Sequence, residues 1–324
     1  MKVAVVGLGA VGGLIASRLA QAGHDVSALA RGRTLAAVRE RGLVVEAAGS
    51  ATTVAIRVSD DARELGPQEL VVIALKAPSL PAAVAAMAPL VDSSTLLLPA
   101  MNGVPWWFLP AALPSEAPLE SVDPGGRLLA RLPLDRVVGC VVHLACSTPE
   151  PGVVRHSFGE RLIVGEPLGG LSDRVAAVCA ALASAGFKAE PSADIRRDTW
   201  YKLWGNMTMN PVSALTGETT DVILADPLVQ AFMLRGMAEA AEIGARIGCA
   251  IEQSGEERMK LARDLGVFRT SMLQDADAGR AIELDAIVGA VHEIGERLGV
   301  GTPNIAALLG LTRLMGRQRG LYPR

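Results

Sequence analysis

Apolar residues run unbroken from Val3 to Val6, and Gly7-Leu8-Gly9-Ala10-Val11-Gly12 follows at once. A helix-like pattern then extends to Ala22, where Gly23 stops it, and Asp25 to Ala30 reads as a second strand. Thr34 to Arg41 reads as a helix, and Gly42–Ala47 and Thr53–Val58 as two strands around Gly49. Leu70–Leu75 has the continuous apolar character of a strand buried on both faces. A helix over Pro81–Leu90 and a strand over Thr95–Leu98 come next. Val137–Ala145, Gly152–Ser157 and Arg161–Val164 read as strands, Leu171–Ala185 as a helix, and the surroundings of Lys188 as a short strand. From Ala193 onward the period is helical throughout. Helices are expected over Arg196–Leu215, Asp226–Ile247, Glu256–Leu265, Arg280–Leu298 and Asn304–Arg317. The pattern therefore predicts an α/β Rossmann-type N-terminal domain, residues 1–192, and an all-α C-terminal domain, residues 193–324.

Strand, GxGxxG, helix and second strand make a βαβ unit in which glycines permit a tight turn and close approach to a pyrophosphate. Gly7, Leu8, Gly9, Ala10, Val11 and Gly12 are the candidate phosphate loop, since the unpaired N–H groups of the following helix attract phosphate. NAD-specific sites place an acidic residue at the end of the second strand. Here Arg31-Gly32-Arg33 stands there, and Arg31 lies 19 residues after Gly12. A guanidinium there matches a 2′-phosphate, so NADP (NADPH) is the expected cofactor. Lys76 and Asn102 each follow the carboxyl end of a strand, where open parallel sheets bind ligands. Lys76 suits a cofactor phosphate or ribose, and Asn102 a nicotinamide or substrate, although Asn-Gly is also an ordinary turn.

Composition excludes several classes. Of 324 residues, 50% are hydrophobic and 20% charged, which argues against disorder. The net charge is -3 with no long basic run, so no nucleic acid partner is expected. The longest uncharged stretch, Ser93 to Ser115, is broken by Pro99, Asn102, Gly103, Pro105 and Pro110, so no membrane association is expected. The four cysteines show no metal spacing, which points to no metal and to a reducing, cytoplasmic setting. Only five basic residues are Lys, among them Lys76 and Lys202. Where a surface cation would serve, this chain uses Arg, so a Lys within a motif stands out.

Lys202, Asn206 and Asn210 recur at i, i+4 and i+8, one helical stripe about 12 Å long. Spacing alone fits either a polar row facing a cleft or an exposed polar face. Glu283 sits in a helical pattern with Ile282, Leu284 and Ile287, and either points inward or pairs with Arg280 at the surface. Aromatic residues are only 3% of the chain, yet six rings fall in Trp106-Trp107-Phe108 and Trp200-Tyr201-Trp204.

The chain resembles the ketopantoate reductase family (2-dehydropantoate 2-reductases) nearly end to end. GLGAVG at 7–12, LK at 75–76, NG at 102–103, WYKLWGNMTMNPVSALTG at 200–217, SMLQD at 271–275 and GRAIELDAIVG at 279–289 carry the resemblance. It implies NADPH-dependent reduction of 2-dehydropantoate to pantoate, as in pantothenate biosynthesis. It implies Lys202 as proton donor and Glu283 as the catalytic-site glutamate. Asn206, Asn210 and Ser271 fall on positions that hold substrate. Asn102 falls at the cofactor–substrate junction. Arg31 and Lys76 fall near the cofactor ribose and 2′-phosphate, and Ala145 on a backbone contact to the cofactor. Glu283 would hold the Lys202 charge or bond the nicotinamide ribose.

Three departures stand out: Ala100 where relatives often have a polar residue, the bulky Trp106-Trp107-Phe108 segment, and Thr220 where some relatives use Asn. The aromatic segment either reshapes the substrate pocket or plugs the domain interface. A reductase of a different 2-oxo acid, a non-catalytic NADP-binding protein and another two-domain dehydrogenase are the alternatives. Long apolar helices leave room for a homodimer.

Overall fold

The computed structural model describes residues 1–113, 116–264 and 266–323. It comprises two compact units, one of Met1–Met101 with Arg127–Ile195 and the other of Asn102–Gly126 with Arg196–Arg324.

The first unit holds ten strands among its described residues. They are β1 (Lys2–Val6), β2 (Asp25–Leu29), β3 (Leu43–Ala47), β4 (Ser50–Val54), β5 (Arg57–Ser59), β6 (Leu70–Ile73), β7 (Leu96–Pro99), β8 (Gly139–Glu150), β9 (Val153–Gly165) and β10 (Lys188–Ser192). One sheet is parallel throughout, in the order β5-β2-β1-β6-β7. Its centre explains the continuous apolar runs: Val3, Ala4, Val5 and all of Leu70–Ile73 are fully buried. Order reverses between β1 and β6, and the glycine loop leaves β1 at that switch point. The second sheet is mixed, β10-β9-β3-β4 with β8 antiparallel on β9.

Two strand expectations are corrected. The predicted Thr53–Val58 strand is two strands in different sheets: β4 pairs antiparallel with β3, and β5 pairs parallel with β2. Conversely, Gly152–Ser157 and Arg161–Val164 are one strand, β9. Gly159, at φ +82°, carries it across the register shift opposite His143–Ala145. A Cβ on Gly159 would lie 2.5 Å from the His143 carbonyl oxygen, so only glycine fits.

Among the described residues the second unit contains helices and no named strand. Its main helices are Ile195–Thr216, Pro227–Arg246, Gly255–Asp264, Ala290–Leu298 and Pro303–Gln318. The expected end of the third, Leu265, lies outside the described residues. Short helices over Thr220–Ala225 and Ser271–Asp277 add to those the sequence pattern predicts. The helix expected from Arg280 starts only at Leu284 and winds first as a π turn, Asp285–Gly289. The preceding residues are held otherwise: Arg280 bonds Asp275, and the Ile282 N–H donates to the Leu321 carbonyl at 3.1 Å.

A single cut at 192/193 does not describe the units, because Asn102–Gly126 packs with the helices. Three attachments explain this. The Val104 N–H donates to the Ala286 carbonyl at 2.7 Å. The Glu293 carboxylate accepts the Glu120 and Ser121 N–H groups at 2.9 and 2.8 Å. The Arg297 guanidinium donates to the Ala117 and Pro118 carbonyls at 2.5 and 2.9 Å.

Burial opposes the Glu293 charge, but hydrogen bonds from Ser121, Glu120 and Arg297 win and hold its carboxyl below the usual range. A depressed folded-state value stabilises the fold above the unfolded carboxyl value of about 4.3 and loses that stabilisation as pH falls through the folded value. Glu293→Ala is therefore expected to cost about 2 kcal/mol in urea unfolding at pH 7, and much less at pH 3. Equal midpoints for the two proteins at pH 7 would show that Glu293 does not hold the segment.

Candidate active site

The glycine loop is built by steric exclusion. Gly7 has φ +97°, and a Cβ there would meet the Leu75 side chain at 2.7 Å and the Ala74 carbonyl at 2.9 Å. A Cβ on Gly12 would lie 2.0 Å from the Gly7 oxygen, and one on Gly13 would lie 2.5 Å from Val154. These glycines bring the Ala10–Gln21 helix down onto the sheet. Gly9 differs, since nothing lies within 4 Å of its would-be Cβ. It caps a 12-residue helix with no side-chain cap and no acidic residue in the first turn. The helix start thus carries no side-chain cap and has open space at Gly9, an arrangement suited to phosphate.

Arg31 is exposed at the end of β2 and caps the next helix, Gly32–Arg41, through its backbone. Lys76 is half-buried after β6, its carbonyl accepting the Ser79 N–H at 2.8 Å. Gly7–Gly12, Arg31 and Lys76 thus all follow carboxyl ends of one parallel sheet. Ala145 lies in β8 of the other sheet, at the register shift.

In the second unit, helix Ile195–Thr216 carries the polar stripe. Two indoles set its rotation. The Trp200 Nε1–H donates to the Ala240 carbonyl at 3.2 Å, and the Trp204 Nε1–H to the Met237 carbonyl at 2.7 Å. Both acceptors lie on helix Pro227–Arg246, and Gly244 makes room for Trp200, since a Cβ there would lie 2.3 Å from its Nε1. Residues two apart on a helix diverge by about 200°. Anchoring Trp200 and Trp204 therefore turns Lys202 and Asn206 to the other side. Lys202 and Asn206 are half-buried and Asn210 is buried, followed by Pro211 within the helix. The Lys202 Nζ donates to the Asn102 Oδ1 at 2.8 Å, across 100 residues of sequence. Sequence reading named both residues but not their bond, because helical spacing carries no information about a loop 100 residues earlier.

Glu283 is 7% exposed and precedes the first helical residue, Leu284. Its carbonyl accepts the Ile287 N–H at 3.2 Å. Arg280 does not take it to the surface; that guanidinium pairs with the buried Asp275 carboxylate at 3.0 Å. Ser271 is exposed in the first turn of helix Ser271–Asp277, whose cap Thr270 accepts the Leu273 N–H at 3.2 Å. Thr220 is fully buried, and its hydroxyl accepts the Phe268 N–H at 3.2 Å, a staple between two backbone segments. Ala100 is buried, its N–H spent on the Ile73 carbonyl at 2.9 Å.

The two aromatic groups meet. Phe108 stacks on Trp200 at 5.8 Å and 17°, and Trp106, Trp107, Phe108, Trp200 and Trp204 are all at most 2% exposed. They form part of the helical unit's core, at its polar stripe's back.

A Rossmann-type α/β unit with a bare glycine-loop helix, joined to helices carrying a lysine–asparagine pair, defines a two-domain oxidoreductase. Residues 3–169 match the family described as ketopantoate reductase PanE/ApbA, and residues 194–316 match its C-terminal part. A 2-dehydropantoate 2-reductase of Mesorhizobium japonicum is 42% identical, over 99% of this chain and 100% of the relative. A solved structure from Ralstonia solanacearum, provisionally assigned as a ketopantoate reductase, is 52% identical with a TM-score of 0.96, covering 99% of each chain. A ketopantoate reductase of the PanE/ApbA family from Ralstonia eutropha is 28% identical with a TM-score of 0.85, over 99% of this chain and 100% of that one. The chain belongs to the ketopantoate reductase family, oxidoreductases acting on a CH–OH/C=O pair.

Proposed function

We propose that this protein reduces 2-dehydropantoate to pantoate with NADPH, Lys202 being the proton donor. The observation that carries the reading is the Lys202–Asn102 bond in a chain of this family. The Asn102 carbonyl oxygen accepts one of the three ammonium protons. Reduction of a 2-oxo group builds negative charge on its oxygen. A half-buried ammonium held by a neutral amide stabilises that charge and supplies the proton, whereas a carboxylate in the amide's place would partly cancel the field. Asn206 and Asn210, one and two turns along the same helix, offer amide N–H groups for the substrate's carboxylate and hydroxyl. Ser271 contributes a hydroxyl from helix Ser271–Asp277. Glu283 supplies a buried carboxyl for this chemistry.

Bound NADPH supplies the hydride. The residues of the first unit fit it. The bare helix start at Gly9–Gly12 suits the pyrophosphate, and Lys76 suits the ribose. Exposed Arg31, in place of an acidic residue, suits the 2′-phosphate. Ala145 would offer backbone. None of the four cysteines is disulfide-bonded, and burial pushes the Cys146 thiol up to about 11. Both points accord with a cytoplasmic enzyme in which thiols take no part.

Lys202→Ala should lower turnover of 2-dehydropantoate by about a hundredfold or more while NADPH still binds. Near-wild-type turnover would remove Lys202 from this role. Arg31→Ala should weaken NADPH binding about tenfold or more and NADH binding little. Equal losses for the two cofactors, measured by fluorescence titration, would show that Arg31 does not read the 2′-phosphate.

A further inference from the structure

The π turn at Asp285–Gly289 stands between two anchors. On one side lies the loop of Asn102. Gly103 has φ +82°, and a Cβ on it would lie 2.6 Å from the Ala286 carbonyl oxygen. That oxygen accepts the Val104 N–H at 2.7 Å, with both residues buried. On the other side lies the turn after helix Pro303–Gln318. The Leu321 carbonyl accepts the Ile282 N–H at 3.1 Å, and the Tyr322 hydroxyl donates to the Asp285 Oδ1 at 2.7 Å. Glu283 falls between those last two bonds.

Tyr322 is itself held. The Leu321 N–H donates to the Gly316 carbonyl at 2.7 Å, and Gly316 has no side chain because Tyr322 lies over it, 2.9 Å from a would-be Cβ. The Arg317 guanidinium sits 5.8 Å from the Tyr322 ring centre. Single π turns inside helices recur at functional sites, since the extra residue breaks the ordinary bonding ladder and needs outside partners.

We propose that Tyr322 is a positioning residue: through Asp285 it fixes the π turn, and so the placement of Glu283 and of the loop that presents Asn102 to Lys202. The proposal rests on the reductase reading above. Burial raises the Asp285 carboxyl, and burial together with Asp285 pushes the Tyr322 phenol up to about 12. The phenol therefore stays a donor at every working pH, as a fixed strut requires.

Tyr322→Phe keeps the ring that packs on Gly316 and removes only the hydroxyl. Steady-state reduction of 2-dehydropantoate should show kcat falling about tenfold, with the KM for NADPH within about twofold. Asp285→Asn, which keeps an acceptor oxygen for the phenol, should retain most of the turnover. A Tyr322→Phe enzyme with unchanged kcat and only a lowered melting temperature would overturn the proposal, leaving Tyr322 a packing residue. Equal kcat losses in Tyr322→Phe and Asp285→Asn would also overturn it, because the hydrogen bond would not be what matters. Lys202→Ala in the same series separates the two ideas. No turnover by the wild type contradicts the reductase reading itself, normal turnover of Lys202→Ala removes Lys202 as proton donor, and a dead Lys202→Ala beside a normal Tyr322→Phe contradicts only the positioning role.

Discussion

A half-buried ammonium needs acceptors, and in the helical unit Lys202 has one in Asn102. Asn102 is a loop residue, and loops do not hold a side chain to a fraction of an ångström unaided. Its loop is therefore tied down three times, at Ala286, Glu293 and Arg297. The lysine side is fixed by different means. Trp200 and Trp204 lock the rotation of their helix through indole bonds to the carbonyls of its neighbour. The large rings of an aromatic-poor chain thus hold the polar stripe in place from behind, and Phe108 on Trp200 joins that core to the Asn102 segment.

The first unit meets a different constraint. Its glycines are not interchangeable. Gly7, Gly12 and Gly13 are required because neighbouring atoms occupy the space of a side chain, so they shape the loop. Gly9 meets no neighbour, so steric exclusion within the fold does not require a glycine there. Glycines that the fold requires and a glycine that it leaves open thus stand side by side in one short motif.

Much of this was legible in the sequence. Strands buried on both faces announce themselves as unbroken apolar runs, and the glycine loop, Arg31 and Lys76 fall at ends of such strands. The helical half was legible by period, and the lysine–asparagine stripe by spacing. What was hidden depends on contacts distant in the chain. Residues 53–58 look like one strand because both halves are β-formers, yet the chain leaves one sheet for the other within them. The segment 102–126 reads as part of the first domain, but its backbone bonds go to Glu293 and Arg297. Glu283 looks helical because Ile282, Leu284 and Ile287 keep the period. Ile282 instead bonds Leu321, and the helix begins one residue after Glu283 with a π turn. Thr220 stands where some relatives use Asn, and its hydroxyl staples two backbone segments that lie far apart in sequence.

Whether Lys202 and Asn102 act as one unit is tested most directly by a double-mutant cycle on kcat/KM for 2-dehydropantoate. Asn102→Ala alone should cost a large part of what Lys202→Ala costs, and the double variant should lie within about threefold of Lys202→Ala alone. Losses that multiply in the double variant would show that the two residues work independently, and that the bond between them does not organise the site.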